Sequence, residues 1–550
     1  PEKRPFFLEG NEIFDFELDG DIPYYSRRIG SPPAFPGTWD AKEISEIPNQ
    51  TTILGAAKLT GKSKKGLSIG IVEGLTAEET GVARDEDGND EEIQVAPLSS
   101  YFSSRLKKEY KEGTTIVGGT FSLVNRISPE AALSELNPNA AVSGGLDLLH
   151  YWNNKNYYVE VKSIASQLQG SSESILRKQL GPIHRYQRPD ADYLEIDSLR
   201  EQLAGHGGLV AIGKKGGNIN FNLRGQYRSP GLNLNDMGYI RQADFFGESA
   251  DISYEMNDPG TWIRNYTLTL FQEARWSFGG EHIGNELGSR FALMTNKLWR
   301  FNLSYAYEFS HLSTRELRGG PALRMDGEHM LGAYISSDRS KNLSGNVGFH
   351  FMNYSGLSSH GEVIHAGLTW LPIRKIRLSV VGSFETRDYH QQYVHTLTGS
   401  SETLYITGGI DQHSTSITFR GELFLTPELS LQYYGSPFYS VGKYDNFNRV
   451  DQSQAQEMDS RVKALDVSYN ETDNSYSFEH NSETWNFSNP DFSFMQFRSN
   501  LVFRWEYKLG STFYLVWAHD RSGFEKIYHP VSDITGDLFG IKGNHVFMFK

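Results

Sequence analysis

The sequence predicts an all-β protein: a large antiparallel transmembrane β-barrel of the outer-membrane kind, with about 20 to 22 strands. Three observations predict it. Apolar residues recur at every second position through segments of about ten residues or more, the spacing of a strand with one apolar and one polar face. Short polar turns alternate with longer connections. No run of about eighteen apolar residues occurs, so a helical span is excluded, while 38% hydrophobic and 13% aromatic residues suit strands with one face toward lipid.

Residues 1–50 come first and stand outside the alternation. Pro5, Pro23, Pro32, Pro33, Pro36 and Pro48 make this segment too proline-rich for a central strand, and it reads as a lumenal plug or a periplasmic tether. The barrel is expected over residues 51–550. In it Ile219, Phe221, Leu223 and Tyr227 alternate with Asn220, Asn222, Arg224, Gln226 and Arg228, a polar face that a wet lumen explains more cheaply than a dry core. Phe301, Leu303, Tyr305 and Tyr307 alternate with Asn302, Ser304, Ala306 and Glu308, and Ile376, Leu378, Val380 and Phe384 with Arg377, Ser379, Ser383 and Glu385. Ile417, Phe419, Leu423 and Leu425 do the same against Thr418, Arg420 and Glu422. Near the C-terminus Leu501, Phe503, Trp505 and Tyr507 run into a turn at Leu509–Gly510 and out through Phe513, Leu515 and Trp517, with Arg498, Asn500, Arg504 and Glu506 between. The rings nearest the turn are expected in an interfacial girdle.

Further turns are expected at 62–66, 111–113, 153–155, 214–217, 257–260, 296–297, 339–342, 372–374 and 427–428. The longer connections fall near residues 79–98, 168–206, 229–243 and 443–492; the second is expected to end in a short helix, and the last is a polar excursion too long for a plain loop. Long loops on a barrel are where binding usually resides.

Several stretches, "EKRPFFLEGNEIF" (2–14), "YYSRRIG" (24–30), "HRYQRPDADYL" (184–194), "NDMGYIRQAD" (235–244), "LTPELSLQYYGSPF" (425–438) and "FRSNLVFRWEYKLGSTFYLVW" (497–517), resemble an uncharacterised family of outer-membrane barrels from Gram-negative bacteria. The resemblance spans essentially the whole chain. In that family the barrel usually follows a periplasmic β-sandwich similar to a family-nine carbohydrate-binding module, which implies that such a domain lies upstream of Pro1. A start at proline is itself what a processed or partial chain would show. The resemblance implies a fold and no reaction.

Candidate chemistry is sparse. "HRYQRPDAD" places His184, Arg185, Tyr186, Arg188, Asp190 and Asp192 within nine residues, which suits contact with a polyol or an anion, or equally a loop pinned by charge-assisted hydrogen bonds. Arg27 and Arg28 can meet lumenal carboxylates or a ligand. "DEDGNDEE" sets Asp85, Asp87, Asn89, Asp90 and Glu92 on one turn, oxygen donors that could hold calcium, although Gly88 is out of register for an EF-hand; a solvated acidic loop is the plain alternative. No cofactor other than that cation is expected. His350, His365, His390, His395 and His480 lack the tight spacing of a zinc site. Ser304 and His311 fall on opposite faces of one strand, and no Gly-x-Ser-x-Gly elbow occurs, so no enzyme is expected. A net charge of −14 argues against nucleic acid, and the absence of cysteine removes thiol chemistry.

The expectation is therefore an integral outer-membrane protein in contact with lipid, binding or transporting polar ligands such as glycans. The alternative is a non-transporting scaffold that docks lipoproteins or other envelope proteins in a complex, and a surface hydrolase is a minor third.

Overall fold

The computed structural model describes residues 4–36, 38–39, 42–85, 88–127, 131–355, 359–400, 402–508, 511–528 and 544–549. The chain divides into two compact units: Pro1–Ile252 with Glu273–Ile283 and Arg318–Pro321, and Ser253–Gln272 with Gly284–Leu317 and Ala322–Lys550. It is an all-β protein, dominated by long antiparallel strands.

In the first unit eight consecutive strands pair as sequence neighbours: β1 (Ile53–Lys62), β2 (Leu67–Thr76), β3 (Leu98–Tyr110), β4 (Thr115–Ile127), β5 (Ala140–Trp152), β6 (Tyr157–Gln169), β7 (Gln202–Lys214) and β8 (Ile219–Arg228). Burial alternates along them. On β3, Ser99, Tyr101, Ser103 and Arg105 are buried while Leu106 is exposed; on β5, Ala141, Ser143 and Asp147 are buried while Val142, Leu146 and Leu148 are exposed, Leu146 to 68%. The exposed face is thus the apolar one, the inverse of a water-soluble sheet. Val117, Phe121, Val210, Ile212 and Leu223 continue it.

Two strands follow in sequence, β9 (Phe245–Met256) and β10 (Ile263–Trp276). The second unit then pairs β11 (His282–Thr295), β12 (Arg300–Glu308), β13 (Glu328–Ser336), β14 (Leu343–Tyr354), β15 (His360–Ile373), β16 (Ile376–Thr398), β17 (Thr403–Phe424), β18 (Leu429–Val450), β19 (Phe492–Lys508), β20 (Ser511–Glu525) and β21 (Asn544–Phe549), each with the next. Phe301, Leu303, Tyr305, Leu378, Phe384, Phe419, Trp505, Tyr507, Phe513 and Trp517 are all exposed, the apolar face expected from their spacing. An apolar face this extensive, on strands whose backbone bonds go to neighbouring strands, is that of an outer-membrane protein. Among the described residues no helix is long and apolar enough to cross a membrane.

The expected turns join strand pairs where placed, apart from Leu509–Gly510, which lies outside the described residues. The connections hold more structure than expected. Residues 79–98 contain a hairpin, Glu79–Arg84 with Asp90–Ala96, in a four-stranded sheet with Thr38–Trp39 and Lys42–Glu46, so part of the N-terminal segment is strand after all. The helix of the 168–206 connection opens it instead of ending it. It spans Ser172–Leu180, because Ser171 caps it, its hydroxyl accepting from the Ser174 amide at 3.2 Å, and Gly181-Pro182 stops it. β16, β17 and β18 run 23, 22 and 22 residues, about twice what a bilayer needs. Their far ends join a three-stranded sheet, Ser468–Asn470, Ser475–His480 and Glu483–Ser488, over a core of Leu397, Ile406, Phe447, Phe478, Trp485 and Phe487.

Candidate functional site

In the first unit the polar face of β1–β8 meets protein where lumenal water was expected. The N-terminal segment crosses that face. Phe7, Phe14, Phe16, Leu18 and Ile29 are each less than 5% exposed, and burying a side chain of this size contributes about 1.5–3 kcal/mol. Glycines on the sheet make room: a Cβ on Gly74 would stand 2.9 Å from Ile29 Cγ2, and one on Gly145 2.8 Å from Phe16 Cζ.

A buried arginine needs a hydrogen-bonded partner, and the arginines of this face have one each. At Leu18–Asp21 the chain turns tightly, Asp19 and Gly20 both at positive φ, and presents two carboxylates to alternate residues of β8. Asp19 accepts from Arg224 at 2.6 Å and from Gln226 at 2.7 Å; Asp21 accepts from Arg228 Nε at 2.8 Å. Arg228 is fully buried, and its remaining donors reach the carbonyls of Leu18, Tyr227 and Gly208. A fully partnered guanidinium is the condition under which a buried charge is tolerated. Arg105 reaches across Gly118 to Asp147, Nη2 donating to Oδ2 at 2.9 Å, and its Nε donates to the Asp15 carbonyl at 3.3 Å. Lys162 donates to the Glu17 carbonyl and Lys58 to that of Phe7, at 2.9 and 3.0 Å.

Two loops complete the cover. Residues 229–243 fold on their own amides: Asn235 donates to the Ile240 carbonyl at 3.1 Å and accepts from the Ile240 amide at 2.9 Å. The second is the loop carrying most of the candidate residues. His184 is 3% exposed. The Asn233 amide donates to its Nε2 at 3.1 Å, so Nδ1 carries the proton and donates to the Pro230 carbonyl at 2.7 Å. Burial pushes this imidazole down to about 4, and it is neutral at physiological pH. One terminal nitrogen of Arg188, Nη2, donates to both Glu281 oxygens, at 2.8 and 2.9 Å, and its Nε donates to Asp190 at 3.2 Å. Beside it Tyr193 donates to Asp244 at 2.6 Å; burial raises the Asp244 carboxyl to about 6, and raises the Tyr193 phenol.

The sequence-predicted cluster is therefore split. His184, Tyr186, Arg188 and Asp190 are turned inward as pins; Arg185 lies at positive φ with Nε on the Pro182 carbonyl, and Asp192 is exposed. Arg28 goes to the Gly238 carbonyl at 2.9 Å and Asn235 at 3.0 Å instead of directly to a carboxylate, and Arg27 lies over the Tyr25 ring. Asp236, near Arg28, pairs with Arg126 at 2.8 Å. In the acidic hairpin Asp85 accepts from the Asn89 amide at 2.8 Å and Asp90 pairs with Arg84 at 2.7 Å. Among the described residues no group of three potential donors could hold a metal ion; Asp87 lies outside them. Glu92 belongs to the Asp90–Ala96 strand.

Sequence reasoning missed Asp19, Asp21, Asp147, Asn233, Asp244 and Glu281. A signal existed for the first two: Asp-Gly-Asp is a tight-turn sequence with a carboxylate on either side of the glycine.

The profile of the family described as "Domain of unknown function (DUF5916)" matches residues 1–547. The chain belongs to that family. No curated protein matches this DUF5916 chain in sequence. Among solved structures it is similar to a mutant ferric enterobactin receptor of Pseudomonas aeruginosa in complex with enterobactin, with TM-score 0.39, 8% identity and coverage of 84% of this chain and 76% of that one. The siderophore receptor PirA of Acinetobacter baumannii gives TM-score 0.40, 8% identity and 84% and 75% coverage. OccK10 (OpdN) of Pseudomonas aeruginosa gives 0.31, 10% identity and 68% and 94%. At such scores and identities none of these likenesses bears on ligand or mechanism.

Proposed function

We propose that this chain is an outer-membrane β-barrel of about 20 to 22 strands, closed on itself, that binds or passes a polar ligand such as a glycan. Residues 4–36 act as a plug over part of the lumen. The observation that supports this reading is a difference between the polar faces of the two units, each taken by itself. In the first unit it is covered by the N-terminal segment and buries the pairs Arg105–Asp147 and Arg228–Asp21; in the second the polar face keeps water-accessible pairs, such as Arg377–Glu422 and Arg498–Asp520, with side chains 56%/31% and 58%/50% exposed. Water-accessible arginine and carboxylate on the inside of a barrel suit a passage or binding chamber for polar cargo. No enzymatic step is part of the reading.

The test is conductance of the purified protein in planar bilayers, intact and lacking residues 4–36. The reading expects small or rare openings in the intact protein and larger ones in the truncated form; silence in both contradicts it. Silence would favour the scaffold alternative, which the three-stranded sheet beyond β16–β18 supports by offering a folded surface for another envelope protein. Recovery of the lone barrel from native membranes would count against that alternative.

A further inference from the structure

We propose that the apolar face of the second unit holds one acyl chain of an anionic phospholipid, with its phosphate at the adjoining basic turns. This rests on the membrane reading above. A groove of about 480 Å³ crosses β13–β16, floored by Gly345, Ala366 and Gly382 and walled by Ile335 and Leu368, with Trp299 at one end. The register sets these residues on one face: Ile335 is opposite Val347, Val347 opposite Ala366, Ala366 opposite Gly382, and Gly345 opposite Leu368. That is the face bearing exposed Leu303, Ile364 and Phe384. A second depression of about 350 Å³ shares Ile335 and Val347 and continues toward Phe301 and Phe349.

The groove has a direction. Trp299 and Ser337 line it beside the turns 296–299 and 337–342, and the register carries it across three strand spacings from Ile335 to Gly382, about 14 Å at about 4.8 Å each; Ile335 stands next to its turn whereas Gly382 lies well inside β16, so the crossing runs obliquely into an apolar band about 25 Å tall. A chain laid along it would start at the headgroup level and run toward the bilayer middle. At the starting level Lys297, Arg339, Lys341 and Arg374 are exposed, with Asp338 among them accepting from the Ser340 amide at 2.9 Å and lying 4.0 Å from Lys341. The balance is positive, which selects an anionic headgroup, and a tryptophan at that depth suits the interface.

The intact protein is reconstituted in phosphatidylcholine vesicles carrying equal mole fractions of brominated phosphatidylglycerol or brominated phosphatidylcholine, and the Trp299 contribution to fluorescence is taken as the difference from Trp299→Phe. The expected result is quenching of that component at least about twofold stronger by the brominated anionic lipid. The excess should vanish in the combined Arg339→Gln, Lys341→Gln, Arg374→Gln variant and in Ala366→Phe, which fills the groove. Should Ala366→Phe fail to show the heat-modifiable migration of a folded barrel, the turn variant decides alone. Equal quenching by both lipids, or an excess that survives the variants, overturns the site and leaves the membrane reading standing. Absence of quenching by either lipid at any tryptophan would overturn the membrane reading itself.

Discussion

Arg105–Asp147 and Arg498–Asp520 are the same chemical pair on the polar face of a similar sheet, with very different surroundings. The first has side chains 2% and 9% exposed, under the N-terminal segment; the second has them 58% and 50% exposed. Period-two alternation says that a polar face exists and nothing about what faces it. In the first unit that partner is Asp15 to Asp21 and their neighbours, contributed by a stretch far away in sequence; in the second the charges remain open to solvent. A buried pair is costly to break because the survivor is left charged without water, whereas a solvated pair contributes little.

The largest effect is expected where the cover meets the sheet. Asp21→Ala strips Arg228 of its carboxylate and should cost about 3–5 kcal/mol of protection of residues 15–31, read by hydrogen exchange. Leu146→Arg in the first unit and Leu303→Arg in the second should cost a similar 2–4 kcal/mol each in a lipid refolding assay, since the apolar faces of the two units meet the same oil. A marked difference between these two would break the comparison at its shared side.

A third prediction concerns acid. Burial holds Asp244 near 6 against an ordinary 3.8, so the folded state keeps its proton to higher pH and this group's contribution is lost as pH rises from about 4 to 6. His184, held near 4 against 6.5, works in the opposite sense: its contribution is lost as pH falls from about 6.5 toward 4. The two oppose each other across the same window. Asp244→Asn should leave proteolytic protection of the 181–200 loop that weakens toward acid, and His184→Asn protection that weakens toward neutral pH. Identical pH profiles for both variants would contradict these environments. The smallest effect is expected for Arg498→Ala, within about 0.5–1 kcal/mol of the parent, because its partner stays hydrated.

The strands, their faces and nearly all their turns were legible because they are local properties: alternation fixes Leu303 outward and Ser304 inward whatever else is nearby. The contacts of the N-terminal segment were not, since nothing within "FELDGDIPYY" announces that Asp19 and Asp21 meet Arg224 and Arg228 some two hundred residues on. The same limit explains the candidate cluster. "HRYQRPDAD" reads alike as a ligand site or as a pin, and Glu281 and Asn233, which turn Arg188 and His184 inward, are contributed by other stretches of the chain. The short helix expected at the end of the 168–206 connection stands at its start, Ser172–Leu180, although its cap, Ser171, is local.

The absence of native cysteine permits one direct measurement of the central claim. Single variants Ser103→Cys, Ser383→Cys and Leu303→Cys place a thiol on the covered polar face, the open polar face and the apolar face, and each is treated in lipid nanodiscs with a charged maleimide. The account predicts fast labelling at Ser383→Cys and protection at the other two, with Ser103→Cys becoming reactive once residues 4–36 are deleted. Equal labelling at all three positions in the intact protein would contradict it.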